Sequence, residues 1–220
     1  MNYLQLINAV LREVNEVELV TIASSRGIQT SVSDFINKAQ RDIINSEVEW
    51  PFTVVAGTIT TTAGQSEYTK PTTAKTIDFD SFTVQESAST AEKTLKYLSF
   101  EEYIERYNEI DTNPTGDSRG LPEYVYLTPD DKIGFSPVPD LSTYTIRYYY
   151  YSTHTDMSAA TDTPTIPERF HDVIVNRARY YTHMLRSDTQ FSQLALRDYE
   201  QGLNRMRVEL INRKDYMRAV

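Results

Sequence analysis

The sequence predicts an α+β protein in which a helix bundle, formed by the N- and C-terminal helices, carries an inserted antiparallel β-region. Helical periodicity occurs at both ends of the chain, and β-forming residues, many of them Tyr and Thr, fill the middle. Apolar residues in the leading part recur at steps of four, three and four, at Val32, Ile36, Ala39 and Ile43. A helix with an apolar stripe is stable when another element covers that stripe. We therefore expect the two chain ends to pack together, with the β-region as an excursion between them.

The predicted boundaries follow from these patterns. We assign residues 1–50 and 165–220 to the helical bundle and residues 51–164 to the β-rich insertion. Pro51 marks the first boundary, because proline disfavours a helical conformation in the residue before it. A chain of 220 residues is long enough for one domain with an insertion of this size.

Two helices are predicted in the N-terminal part. The first runs over about residues 2–16. The second begins after an N-cap at Ser31, which has Asp34 three residues later, or at Ser33 alone. It has to end before Pro51.

A helical hairpin is predicted in the C-terminal part. Pro167 occupies the favoured first position of a helix, and Ser187 with Gln190 forms a capping box that starts the next one. The apolar stripe of the first helix consists of Phe170, Val173, Ile174, Arg177, Ala178, Tyr181 and Leu185. The narrower seam of the second consists of Leu196, Tyr199, Leu203, Met206 and Leu210.

The insertion is predicted to be mainly strands. The segment from Tyr144 to Ser152 is the strongest strand, and residues 124–127 and 132–136 form a hairpin around a Pro-Asp-Asp turn. Ser99 and Glu102 form a capping box that starts one short helix at about residues 99–108. Further strands are predicted at residues 52–62, 77–85 and 95–98.

The net charge of -9 is unevenly distributed. Residues 167–220 hold ten Lys and Arg against seven Asp and Glu, so the rest of the chain carries a charge of -12. An acidic body does not bind phosphate backbones, although it can line a passage through which nucleic acid slides. Alternatively, the acidity only keeps the protein soluble. No apolar run is long enough for a membrane span, and the absence of cysteine fits synthesis in a reducing cytoplasm.

The sequence contains no recognisable catalytic motif. His154, His171 and His183 are scattered, and we interpret each as a surface or interface side chain. No His pair has zinc-protease spacing, and neither a Gly-x-Ser-x-Gly elbow nor a phosphate-binding loop is present. A catalytic triad of nucleophile, His and acid remains an alternative, since its members need not be neighbours in sequence. We predict no enzymatic activity, no cofactor, and no catalytic or metal-binding residues.

One loop starts like a calcium-binding loop. Residues 111–117 place oxygen-bearing side chains at alternate positions and Gly116 at the sixth. The twelfth position should be Glu but is Pro122. We therefore interpret the segment as an ordinary polar loop.

Four consecutive tyrosines, Tyr148, Tyr149, Tyr150 and Tyr151, place two rings on each face of one strand. Tyrosine has an apolar body and a polar tip, which suits surfaces that become buried on binding. We name the four as candidates for a subunit interface or a tail-facing surface. Core packing on one face is the simpler explanation, and a carbohydrate- or receptor-binding module would also use such rings.

Several segments together resemble the head-to-tail adaptors of tailed bacteriophages, and most closely the tail tubular protein A type of short-tailed phages. They are Glu49-Trp50-Pro51-Phe52, the Gly64 turn with Tyr68 before a proline, Pro122-Glu123-Tyr124, the segments 135–139 and 144–151, and Ile166-Pro167-Glu168-Arg169-Phe170. Their order and spacing over nearly the whole chain carry the resemblance.

The resemblance implies a virion protein of the neck or tail, assembled in the host cytoplasm as a ring, usually of twelve copies. Such a ring lies between the portal and the tail nozzle or tube, and genome DNA passes through its lumen without specific binding. The basic terminal helix supplies portal-docking candidates, with a solvated helix face as the alternative: Arg205, Arg207, Arg213, Lys214 and Arg218. The competing functions are a carbohydrate- or receptor-binding tail module and a hydrolase with a dispersed site.

Overall fold

The computed structural model describes residues 1–87, 89–112 and 118–211. The chain divides into a helical unit, Met1–Thr53 with Thr153–Val220, and a β unit, Val54–Ser152. The predicted α+β class is confirmed, since the described residues form helices at both ends of the chain and two sheets between them.

The elements follow in chain order. The helices are α1 (Tyr3–Glu13), α2 (Ile28–Asn45), α3 (Phe100–Arg106), α4 (Asn108–Thr112), α5 (His171–Leu185) and α6 (Thr189–Leu210). The strands are β1 (Val54–Thr60), β2 (Glu67–Thr69), β3 (Ala74–Gln85), β4 (Lys93–Thr94), β5 (Lys96–Tyr97), β6 (Tyr124–Leu127), β7 (Lys132–Ser136) and β8 (Thr145–Ser152).

The N-terminal ends of α1 and α2 are stabilised differently. Asn2 caps α1, because its side chain accepts from the Gln5 backbone N–H at 2.9 Å and its own N–H donates to Gln5 Oε1. The predicted cap of α2 at Ser31 or Ser33 is wrong. The helix begins at Ile28, directly after Gly27, whose φ of 56° turns the chain into the helix earlier than a serine cap would.

The C-terminal end of α2 is closed by a tryptophan. The helix ends at Asn45, several residues before the limit set by Pro51. The indole N–H of Trp50 donates to the Ile43 carbonyl oxygen at 2.8 Å, and the ring is only 1% exposed. The same carbonyl also accepts from the backbone N–H and the hydroxyl group of Ser46, so Trp50 reinforces the C-terminal cap of α2 and fills the core at the same time.

The core of the helical unit is built from both chain ends. Leu6, Ile7, Ile36 and Ile174 are fully buried in one cluster, to which α1, α2, α5 and α6 all contribute. Helices α5 and α6 approach closely at Gly202, where a Cβ atom would lie 2.7 Å from Val173 Cγ2.

Residues 153–164 belong to the helical unit, whereas the sequence-based boundary places them in the insertion. Asn37 of α2 holds this segment with two hydrogen bonds. Its amide donates to the Met157 carbonyl at 3.0 Å and accepts from the Met157 N–H at the same distance.

The predicted capping box at Ser187 and Gln190 is wrong. Ser187 has φ of 59° and lies in the turn between α5 and α6. Asp188 is the N-cap of α6 instead, and its carboxylate accepts from the Phe191 N–H at 3.3 Å. Pro167 precedes a 3₁₀ turn at Glu168–Phe170 rather than occupying the first position of α5.

The β unit consists of two four-stranded sheets that share one core. Their strand orders are β1-β8-β3-β4 and β2-β7-β6-β5, and all pairs are antiparallel except β5 with β6. The predicted hairpin is confirmed at β6 and β7, with Asp131 at φ 62° in its turn. Phe82, Phe135 and Ile146 are fully buried in the core.

Two glycines in the strands make room for tyrosine rings. A Cβ atom at Gly57 in β1 would lie 2.5 Å from Tyr148 Cζ, and one at Gly134 in β7 would lie 2.2 Å from Tyr126 Cζ. Tyr126 is 1% exposed and stacks on Tyr103 of α3 with 3.8 Å between ring centroids. The Tyr126 ring therefore cannot shift to make room for a side chain at position 134.

Substituting Gly134→Ala should lower the free energy of unfolding by about 1–3 kcal/mol, because the added methyl group overlaps the Tyr126 ring. Gly120→Ala is the matched control, since a Cβ atom there meets nothing within 4 Å. Urea denaturation of both variants provides the measurement. Equal stability of the two variants would contradict the close approach.

Candidate interaction surfaces

Two of the five portal-docking candidates are described by the structure, and both make ion pairs within the helical unit. Arg205 Nε donates to Glu209 Oε1 at 2.7 Å, one turn further along α6. Arg207 Nε donates to Glu47 Oε1 at 2.5 Å, which ties α6 to the segment after α2. The other three candidates, Arg213, Lys214 and Arg218, lie outside the described residues.

These ion pairs distinguish the two arginines. The Arg207 side chain is 38% exposed, and its ion pair with Glu47 links α6 to the segment after α2, so this arginine stabilises the helical unit. The Arg205 side chain is 63% exposed, and the hydrogen bond to Glu209 raises its pKa. Of the two, Arg205 is the arginine whose charge is more open to a partner.

The four candidate tyrosines of β8 divide between the two faces of the sheet. Tyr148 and Tyr150 point into the β-unit core, where Tyr148 stacks on Phe82 with 4.7 Å between ring centroids. Tyr149 is 52% exposed, and Tyr151 is partly buried. The structure therefore leaves Tyr149 and Tyr151 on the outer face and encloses the other two rings.

The outer face around these two rings is continuous with β1. Val54 is paired with Tyr151 and Ala56 with Tyr149 in the β1–β8 ladder. Residues at directly paired positions point to the same side of a sheet. Tyr149, Tyr151, Val54 and Ala56 form the surface that we call the outer tyrosine face.

A partly buried polar cluster on α5 was not anticipated from sequence. Arg177 Nε donates to Asp42 Oδ2 at 2.7 Å, and the hydroxyl group of Tyr181 donates to the same carboxylate oxygen. The guanidinium group also lies 4.8 Å from the ring centroids of both Tyr181 and Tyr199. Burial, followed by the hydrogen bond to Asp42, raises the pKa of Tyr181 to about 12.

The sequence carried a signal for this cluster. Arg177 interrupts an otherwise apolar stripe, and a charge on a buried helix face needs a partner. The identity of that partner depends on the packing of α2 against α5, which the sequence alone did not specify.

The histidines are not surface side chains. His171 and His183 are 4% and 6% exposed, and the His154 side chain is 5% exposed, so the surface alternative of the interpretation as surface or interface side chains is wrong. Burial lowers the pKa of each. His183 stacks on Phe191 of α6 and lies 3.8 Å from Asp188 Oδ2.

Within the part of the chain that the structure describes, no group of three or more His, Asp or Glu side chains could hold a metal ion. Most of the candidate calcium loop, residues 113–117, falls outside that part. Among the helices that the structure describes, none is long and apolar enough to cross a membrane.

Replacing Asp42 should destabilise the helical unit. Asp42→Asn removes the charge that pairs with Arg177, a side chain only 20% exposed, so we expect a loss of about 1–3 kcal/mol in the free energy of unfolding. Asp34→Asn on the same helix, at an exposed position, is the control and should change stability by less than about 0.5 kcal/mol. Urea denaturation distinguishes the two, and similar losses would contradict a specific pair.

Lowering the pH from 7.5 to 5.5 should reduce the free energy of unfolding. Burial lowers the pKa of each histidine in the folded state. As the pH falls through the ordinary histidine pKa near 6.5, the unfolded chain therefore binds more protons than the folded chain, and this favours unfolding. His183→Phe keeps an aromatic ring against Phe191 and removes one titrating group. Urea denaturation at both pH values should show a smaller decrease for this variant, and an unchanged decrease would contradict the contribution of His183.

One known protein family matches the whole chain. The family model described as SU10 adaptor protein matches residues 1–220. No curated protein sequence matches the chain significantly. The resemblance to phage head-to-tail adaptors is confirmed by the family match, and members of this family are structural rather than enzymatic proteins. The chain belongs to the SU10 adaptor protein family and is a structural adaptor protein of the bacteriophage virion neck.

Proposed function

We propose that copies of this adaptor form a closed ring, usually of twelve, between the portal and the tail nozzle or tube. Genome DNA passes through the lumen during ejection without specific binding. The match of the entire chain to an adaptor family is the observation that carries the proposal. In a ring, each copy contacts one component on each side and meets its two neighbours through two different faces, so four surfaces are needed.

The charge distribution supports a division of these contacts. The β unit, residues 54–152, holds 15 acidic against 8 basic residues. Because binding to nucleic acid depends on neutralising phosphates, such a surface repels DNA and favours passage over adhesion. The terminal segment after α6 is basic by contrast, with Arg213, Lys214 and Arg218 against Asp215.

Portal docking in this proposal depends mainly on the basic terminal segment. Arg207 forms an ion pair with Glu47, and Arg205 forms one with Glu209. Arg213, Lys214 and Arg218 follow directly after α6 in the chain. An acidic portal surface is therefore the partner that we expect for this segment.

Neighbouring copies or the tail contact the outer tyrosine face in this proposal. Tyr149 and Tyr151 can reach a partner, whereas Tyr148 and Tyr150 are enclosed in the core. A carbohydrate-binding module would need a platform of exposed rings, and only Tyr149 of the four is more than half exposed. This favours the adaptor function over the carbohydrate-binding alternative.

The docking proposal predicts that Arg213→Glu, Lys214→Glu and Arg218→Glu together abolish attachment to the purified portal. The triple variant reverses the charge of the terminal segment without touching the Arg207–Glu47 pair. Electron microscopy of the adaptor mixed with the portal should show rings on the portal for the parent protein and bare portals for the variant.

The matched control reverses three exposed basic residues elsewhere, with Arg26→Glu, Lys93→Glu and Arg106→Glu. It changes the net charge equally and should leave the rings intact. Loss of rings in both variants would show a general charge effect, and intact rings in both would refute docking through the terminal segment. If the parent protein forms no ring with the portal, the proposed function itself fails.

A further inference from the structure

Strand β1 is an edge strand of its sheet, and its residues are exposed or partly exposed. Among the strands that the structure describes, β8 alone pairs with β1. Val54 and Val55 are 43% and 38% exposed, and every residue from Val54 to Thr60 is at least partly exposed. No residue from Pro51 to Ser66 carries a charged side chain.

The opposite side of the same sheet is protected. Strand β4 covers part of β3, the β3–β8 register shifts between Asp78 and Thr83, and β3 carries the acidic side chains Asp78 and Asp80. Irregular register, charges and a short covering strand are the devices by which proteins prevent unwanted edge pairing. β1 has none of them, although its β-branched composition favours pairing.

The sequence of β1 is complementary to itself when two copies run antiparallel. Centring the pair on Gly57 places Val55 opposite Ile59 of the second copy, on the inner side of each sheet. The same register places Ala56 opposite Thr58 and Val54 opposite Thr60. Apolar β-branched residues meet on one face, and on the other face each threonine meets a valine or an alanine, so neither face brings a charge into the contact.

Charge is also compatible with self-pairing. A second β1 brings no like charge against the first, because the whole segment around the strand is neutral. A charged partner strand would leave its charges beside apolar Val55 and Ile59 without a partner.

We propose that β1 pairs with β1 of a second copy in the free protein and joins two four-stranded sheets into one continuous sheet. The contact is two-fold symmetric and uses the same edge of both copies, so it stops at two and does not grow into a fibre. A single pair of short strands buries less surface than stable dimers need, so the association is weak and reversible. The pairing covers the unprotected edge before assembly and does not rest on the proposed ring.

Analytical ultracentrifugation of the full-length protein, without portal, over a range of concentrations tests the association. The parent protein should change reversibly from monomer to dimer as concentration rises. Val55→Lys places a charge against Ile59 of the partner and should weaken association at least tenfold. Val48→Lys, at an exposed valine of the helical unit, is the control and should leave association unchanged.

Disulfide trapping tests the register, because the natural chain contains no cysteine. An equimolar mixture of Ala56→Cys and Thr58→Cys proteins should cross-link at least several-fold faster than either protein alone, since those positions face each other only between copies. Paired residues of antiparallel strands lie within the Cα distances that a disulfide allows.

Three results would overturn the inference. One is a protein that stays monomeric at every concentration and forms no cross-links, which would leave the β1 edge to a strand of a different protein. Another is equal association of the Val55→Lys and parent proteins. The third is faster cross-linking of a single variant than of the mixture, which would exclude pairing centred on Gly57.

Discussion

The fold depends on one constraint, which is that apolar stripes from the two ends of the chain cover each other. Leu6 and Ile7 of α1 and Ile36 of α2 are fully buried in the same cluster as Ile174 of α5. Each such side chain contributes about 1.5–3 kcal/mol relative to exposure in water. None of these helices can bury its stripe alone, so the segment between them has to leave the bundle and return to it.

Polar contacts then fix how the elements of the helical unit are placed. Asn37 holds the returning segment at Met157, and Asp42 holds Arg177 of α5. Trp50 closes the end of α2 and joins the core. Hydrophobic burial is not directional, whereas hydrogen bonds are, so these side chains decide which of several similar packings is adopted.

The same folding logic separates the surfaces available for assembly. The β unit encloses Tyr148 and Tyr150 to build its core and leaves the outer tyrosine face and the β1 edge exposed. In the helical unit, one of the predicted docking residues, Arg207, instead forms an ion pair with Glu47 of the same unit. The surfaces that we propose for partners are therefore those that are neither buried in the core of each unit nor paired within it.

The α+β class, the order of the elements, the β6–β7 hairpin and the adaptor family were all predictable from sequence. Periodicity, turn residues and the order of motifs are local properties that do not depend on distant contacts. The start of α2 directly after Gly27, the Asp188 cap, the burial of the histidines and the partner of Arg177 were decided by the three-dimensional structure. The burial of the histidines and the partner of Arg177 depend on which helices pack together, because they involve residues that are distant in sequence. The two helix starts depend instead on the local path of the backbone, which has positive φ angles at Gly27 and Ser187.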